Sequence, residues 1–262
     1  VTIYKKITYS LNFIIIAKNK HKHLLNLKIM ARGIIVSMGG GGVPPKLTIT
    51  DFDPSQKAYY VPGHEVECDS QMPLKLGFLA EGVIDPNNPK VIRIVKVLDS
   101  APTVITGSQG GNITIGADKA YLVQSTGQLT GNVNVNGGVL LVDGGKATGN
   151  VSIDSNSTII AVNGATIGGG SFEVTGSGMN AVVVFSNSNI NGKFATTGIT
   201  FVKLGSNDFD GNVDSSKDHY VHIKDNNVNN GKNLTVSQVV VDCEISNNNV
   251  SGTTTLDPKC HP

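Results

Sequence analysis

Tryptophan is absent from this 262-residue chain, aromatic residues make up only 5% of it, and cysteine occurs three times. All ten prolines lie outside residues 103–257, no arginine follows Arg93, and no acidic residue precedes Asp51. Each gap excludes something. Scarce aromatics leave no visible stacking platform for sugars or bases. The three cysteines contain no C-x-x-C pair, so neither a zinc site nor a dithiol redox motif is supported. A formal net charge of +1 names no partner, and nucleic acid is not expected. The missing prolines say the most. Proline cannot donate to a strand ladder and is kept out of central strands. A long stretch without it, bracketed by Pro102 and Pro258, fits a region in which every strand is interior.

What fills that stretch is a repeat. Gly111, Gly131, Gly149, Gly169, Gly192, Gly211, Gly231 and Gly252 recur every 18 to 23 residues, each followed by a short, mostly apolar segment. Four share nearly the same tail: Gly111-Asn112-Ile113, Gly131-Asn132-Val133, Gly149-Asn150-Val151 and Gly211-Asn212-Val213. A period of this length built from short strands means a stacked solenoid. Counting back nine residues from the glycines gives Leu122, Leu140, Ile160, Val183, Val202 and Cys243, which predicts one inward file. Two residues on, Gln124, Val142, Val162, Phe185, Leu204 and Ile245 face the same way, because i and i+2 share a strand face. The coil ending at Gly231 fits after a one-residue slip, with Val221 and Ile223. A third inward column precedes each glycine: Leu129, Ala147, Ile167, Ile190, Phe209, Val228 and Val250. The reading is therefore all-β, a single-stranded parallel β-helix of about 7–8 coils.

The glycines suit corners where a side chain would clash or where φ is positive. Asn187-Ser188-Asn189, Asp225-Asn226-Asn227 and Asn247-Asn248-Asn249 suit bends that tolerate left-handed backbone. Their amides are also placed to hydrogen-bond from coil to coil as a ladder.

The organisation ahead of the repeat is different. Residues 1–42 read as a basic segment, either disordered or translated from upstream of a true start at Met30 or Met38. Its apolar run, Phe13 to Ala17, is too short to span a membrane and a poor match to a secretory signal. Its lysines leave open a contact with an anionic membrane or the cell envelope. Residues 43–102 form a small β-rich unit, with strands expected over Lys46–Thr50 and Lys90–Leu98 and turns at Asp53-Pro54, Pro62-Gly63 and 85–89. That unit either caps the first coil or attaches the rod elsewhere. Residues 258–262 are left as a tail.

Candidate chemistry is thin. Cys243 falls in an inward file and reads as buried filler. Cys260 could reach Cys68 only if the tail ran back along the whole helix. His219 and His222 flank Tyr220-Val221, with His222 outward; His21, His23, His64 and His261 form no ligand set at matching spacing. Asp208, Asp210 and Asp214 cluster at one corner, followed by Asp218 and Asp225, with Lys203 and Lys217 near. Paired carboxylates serve sugar hydrolysis or calcium binding, but solvated turn acids are the plainer reading. Gly168-Gly169-Gly170 lacks the Lys-Ser/Thr of a phosphate loop. No catalytic, metal or cofactor residue is assigned.

The run Glu244-Ile245-Ser246-Asn247-Asn248-Asn249-Val250-Ser251-Gly252 and its counterpart Ile223 to Gly231 resemble right-handed parallel β-helix repeats of the pectate-lyase type. The shorter coils at 121–157 are similar in rhythm to bactofilins. The first likeness implies a polysaccharide-active enzyme carrying Asp and Arg constellations, yet no arginine follows Arg93. The second implies a core that polymerises end to end without nucleotide. Bactofilin cores, however, lack a β-rich unit ahead of the first coil. The expectation is a non-catalytic structural or scaffold protein, self-assembling or surface-displayed, with partner chains of its own kind. A viral or cell-surface fibre is the alternative, and a polysaccharide enzyme stands behind both. The last coil, ending at Gly252, is expected to be bare, so that this end meets another chain.

Overall fold

The computed structural model describes residues 30–37, 46–49, 65–70, 79–84, 91–97 and 102–262. A few single positions between the early strands are also described, and positions 118, 170–172 and 179–180 are not. The basic run with Phe13 to Ala17, His21 and His23, and the turns at Asp53-Pro54 and Pro62-Gly63, lie outside the described residues. No helix among the described residues is long and apolar enough to cross a membrane.

Five strands near the start close into a barrel: β1 (Met30–Ser37), β2 (Lys46–Ile49), β3 (Glu65–Asp69), β4 (Leu79–Ile84) and β5 (Val91–Val97), in the order β1-β2-β3-β5-β4. The β1–β2, β2–β3 and β4–β5 pairs are antiparallel, and β3–β5 is parallel. Alternation puts Ile35, Leu47, Val66, Cys68, Ala80 and Ile92 inside, all buried. The barrel begins at Met30, not at residue 43. Residues read as a disordered arm supply its first strand, because Gly33, Ile34 and Ile35 extend the antiparallel ladder beside Leu47–Ile49.

From Thr103 onward the chain is a parallel β-solenoid of about eight turns, with all three sheets running along its length. One sheet stacks nine strands from Thr103–Ile105 to Cys260–His261. A second stacks eight two-residue strands from Ser108–Gln109 to Asn249–Val250, and the third eight from Ile113–Ile115 to Thr254–Thr255. At about 4.8 Å per coil the rod is about 40 Å long. One continuous core runs through it, including Val142, Phe185, Leu204 and Ile223 from the first sheet. Leu129, Ile167, Ile190 and Phe209 come from the second, and Val133, Val151, Phe194 and Leu234 from the third. Phe194 packs edge-on to Phe185 and Phe209, with ring centroids 5.8 and 6.1 Å away.

The inward file of the first sheet is Tyr121, Leu140, Ile159, Val183, Val202, Val221 and Cys243, in register from coil to coil. Two expected members are wrong by one position. Leu122 and Ile160 face outward, as do their neighbours Gln124 and Val162, and Val123 with Tyr121, and Ile159 with Ala161, take the inward places. The corners Gln124–Gly127 and Val162–Ala165 each carry one residue more than Asp143–Gly145, so a fixed count back from the glycine slips. The slip was invisible because both faces of this sheet are apolar. Leu122, Leu141, Ile160, Val182, Val184 and Phe201 form a second buried cluster on its outer side, and Val36 of β1 packs against it. Residues 31–262 make one compact unit.

Corners explain the repeat residues. A Cβ on Gly211 would overlap the carbonyl of Gly192 one coil below, so this glycine is required by close stacking. Asn187, Ser206, Asp225 and Asn247 have φ between 49° and 57°, the left-handed turn. Each is followed by a residue whose side chain points into the corner. Asn226 and Asn248, from two of the expected corners, form a ladder with Asn207: Asn207 Nδ2 donates to Asn226 Oδ1, and Asn226 Nδ2 to Asn248 Oδ1, both at 2.9 Å. The same acceptors take the backbone N–H of Asn207 (2.9 Å) and Asn226 (3.0 Å). Buried backbone donors are thereby satisfied where the sheets break.

Candidate functional site

The titratable residues that the fold gathers are at the carboxyl-terminal end of the first sheet. Strand Tyr220–Lys224 lies beside Asp242–Ser246, which lies beside Cys260–His261. Cys243 and Cys260 are in register and joined by a disulfide, with 4.4 Å between their Cα atoms. Cys243 is therefore not simple apolar filler, and the solenoid does not end at 257. Residues 254–255 and 260–261 add a partial further turn on the last coil. The signal for this was the cysteine spacing of 17, about one short coil. The expectation of a bare end is corrected to that extent. Asp257 accepts from the N–H of Val239 (3.2 Å), and Lys259 Nζ donates to the carbonyls of Val239 and Val240 at 2.8 and 2.9 Å. Beside this strap, a recess of about 200 Å³ remains between Leu234, Ile245, Asn248 and Val250.

On the outer face of these strands, Lys203, His222, Glu244 and His261 form one register column, and Phe201, Tyr220 and Asp242 the next. His222 is outward as expected, edge-on to Phe201 with centroids 5.3 Å apart. His261 Nε2 lies 3.1 Å from Asp242 Oδ1, and His222 Nε2 lies 3.6 Å from Asp242 Oδ2. Desolvation is the largest single influence on Asp242 and works against its ionisation, but the hydrogen bond from His261, the two imidazoles and the Cys243 N–H together hold it below its ordinary value of 3.8. The hydrogen bond to Asp242 raises His261 above 6.5.

The acids singled out in the sequence do not converge. Asp208 accepts from Asn227 Nδ2 at 2.7 Å and Asp210 from Asn230 Nδ2 at 3.3 Å, both exposed. Asp214 sits on the next sheet, 3.4 Å from Lys193 rather than from Lys203 or Lys217. Asp218 is not a solvated turn acid: it is fully buried. It accepts from Thr196 Oγ1 and Ser215 Oγ (both 2.6 Å) and from the N–H of Ile199 (2.7 Å). Burial pushes its pKa above 3.8 against those hydrogen bonds. In an earlier coil Ser157 Oγ does the same work, accepting from the N–H of Gly137. Asp218 is thus a corner brace.

Cys68, the free cysteine, is buried in the barrel, and burial, with Asp69 beside it, pushes its thiol to about 11. Such a thiol is a poor nucleophile at neutral pH. A shallow polar recess of about 330 Å³ lies along the corners at Gln124, Ser125, Thr126, Asp143, Gly144 and Asn163. Among the described residues no three His, Cys, Asp or Glu side chains are grouped to hold a metal ion.

Scans against protein-family models, curated proteins and solved structures find no match to this chain. The β-solenoid stands on its own geometry.

Proposed function

We propose that this chain is a non-catalytic structural protein, a rigid β-solenoid rod displayed outside the reducing cytosol, with the five-stranded barrel as its attachment module. The observation that carries the reading is the Cys243–Cys260 disulfide closing the last turn. Such bonds persist on cell or virion surfaces and in secreted proteins, and are rare where glutathione keeps thiols reduced. The buried polar groups support the same reading, because Asp218, Asn207 and Asn226 spend their hydrogen-bonding capacity on neighbouring coils. A fibre or spike on a cell or a virion is the setting such a rod fits. Protein recovered from its native source and alkylated without reduction should show Cys243 linked to Cys260. A free Cys243 thiol in that material would remove the displayed reading.

Self-assembly of copies, as the bactofilin-like rhythm implies, is a second reading with its own observation. Four large apolar side chains stand exposed among the described residues: Val104 on the first coil, and Val240, Val241 and Leu256 at the last. Stacking end on end would cover both sets and pair the sheet edges. Sedimentation velocity and electron microscopy decide it. Filaments or discrete oligomers that disappear on Val241→Lys are expected, and a monomer at high concentration refutes it.

A further inference from the structure

We propose that the terminal strand Cys260–His261 is an acid-tightened latch on the last coil, worked by His222, Asp242 and His261. The strand is attached by only two register pairs, Cys243 with Cys260 and Glu244 with His261. Beyond the disulfide, the side-chain contact that holds it is His261 Nε2 to Asp242 Oδ1 at 3.1 Å. The second carboxylate oxygen faces His222 Nε2 at 3.6 Å, and that nitrogen is buried with no hydrogen-bond partner. One carboxylate therefore sits between two imidazoles and uses only one of them fully. Protonating His261 makes its hydrogen bond charge-assisted, while the His222 ring holds the other carboxylate oxygen in place.

The other groups on these strands agree with that direction. Glu244 lies in register with both histidines and supplies a second carboxylate. Lys203 is in register with His222 one coil earlier, and Tyr220 with Asp242. Lys224 is in register with Ser246, and Lys259 is turned to the carbonyls of Val239 and Val240. With His261 neutral, Lys203 is the one cation in these two columns set against two carboxylates; with His261 protonated, Asp242 has an imidazolium beside it.

The sign follows from the two shifts. His261 is raised, so its contribution is fully present below 6.5 and lost as pH rises through the raised value. Asp242 is lowered, so its contribution is present above 3.8 and lost as pH falls through the depressed value. The latch is tightest between those limits.

The test is the rate at which a phosphine reductant opens Cys243–Cys260 in the full chain, since Cys243 is fully buried beneath the strand. Rates at about pH 5.5 and about pH 8 straddle the histidine range. Wild type is expected to react at least about twofold more slowly at the acid pH, relative to His261→Gln, in line with a partly exposed ion pair. Asp242→Asn should lose the difference. Equal pH dependence in wild type and variants overturns the latch. So does slowing by added zinc at about pH 8 that a chelator reverses, which would make these three side chains a metal site. Amide exchange at Cys260 and His261 in wild type, corrected for intrinsic rates, gives a second reading if a variant does not fold. Protection that fails to rise on acidification refutes the proposal.

Discussion

Replacing Asn226 with leucine should cost this rod far more than its size suggests. The side chain is 1% exposed and makes bonds in three directions. Its Oδ1 accepts from the Asn207 backbone N–H and from Asn207 Nδ2, both at 2.9 Å. Its Nδ2 donates to the carbonyls of Leu204 and Lys224 and to Asn248 Oδ1, all at 2.9 Å. Leucine fits the volume but leaves the buried Asn207 N–H with no acceptor. An orphaned buried donor costs about 1–3 kcal/mol, and the weakened carbonyls add to it, so about 3 kcal/mol is expected. At about 2–4 °C per kcal/mol for a unit of this size, the melting temperature should fall by about 6–12 °C. Asn248→Leu, at the half-buried end of the same ladder, should cost about a third as much, because water reaches the groups it strands. Thermal melts followed by circular dichroism read both. If Asn226→Leu melts within a degree or so of wild type, or if the two variants cost the same, the corner ladder is not what holds these coils in register.

Val183→Asp should unfold the solenoid, because Val183 is fully buried mid-file between Ile159 and Val202 and an unpaired carboxylate there costs several kcal/mol; a wild-type-like melt refutes the core file. Cys260→Ser should loosen only the last turn, since a loop with a sequence separation of 17 loses roughly 3 kcal/mol of constraint. Hydrogen exchange should then rise at residues 242–261 and stay unchanged at Leu140 or Val183. Asp218 is raised, so its own contribution to stability is fully present below 3.8 and is lost as pH rises through its elevated value. Asp218→Asn keeps an acceptor for Ile199 and removes that titration, so the wild-type-minus-variant difference in urea stability should change across that window. A flat difference would mean that the carboxyl does not ionise differently on folding.

The architecture was legible because a solenoid repeats its physics. The Gly-Asn corners, the excluded prolines and the apolar columns each follow from stacking identical strands, so every coil restates the evidence. The ladder positions Asn226 and Asn248 were legible for the same reason, whereas Asn207, in a corner opened by Ser206, was not singled out. Single events were not. The extra corner residues at Gln124–Gly127 and Val162–Ala165 shifted Leu122 and Ile160 to the outer face, and period counting has no means to see a lone insertion.

Sequence alone determined that residues 103–257 form a parallel β-solenoid and that Val183, Val202, Phe185 and Phe209 lie inside it. Local periodicity is enough for that, because each strand's neighbours are copies of itself. Only the tertiary structure decided which cysteine pairs with which, that Asp218 is buried while Asp208 and Asp210 are not, and that Met30–Ser37 closes a barrel. It also brought His222, Asp242 and His261 together. These are contacts between residues in different coils or strands, at spacings the repeat does not impose. Their partners are set by how corners of unequal length bring the next strand round, a property of the folded chain that no single coil contains.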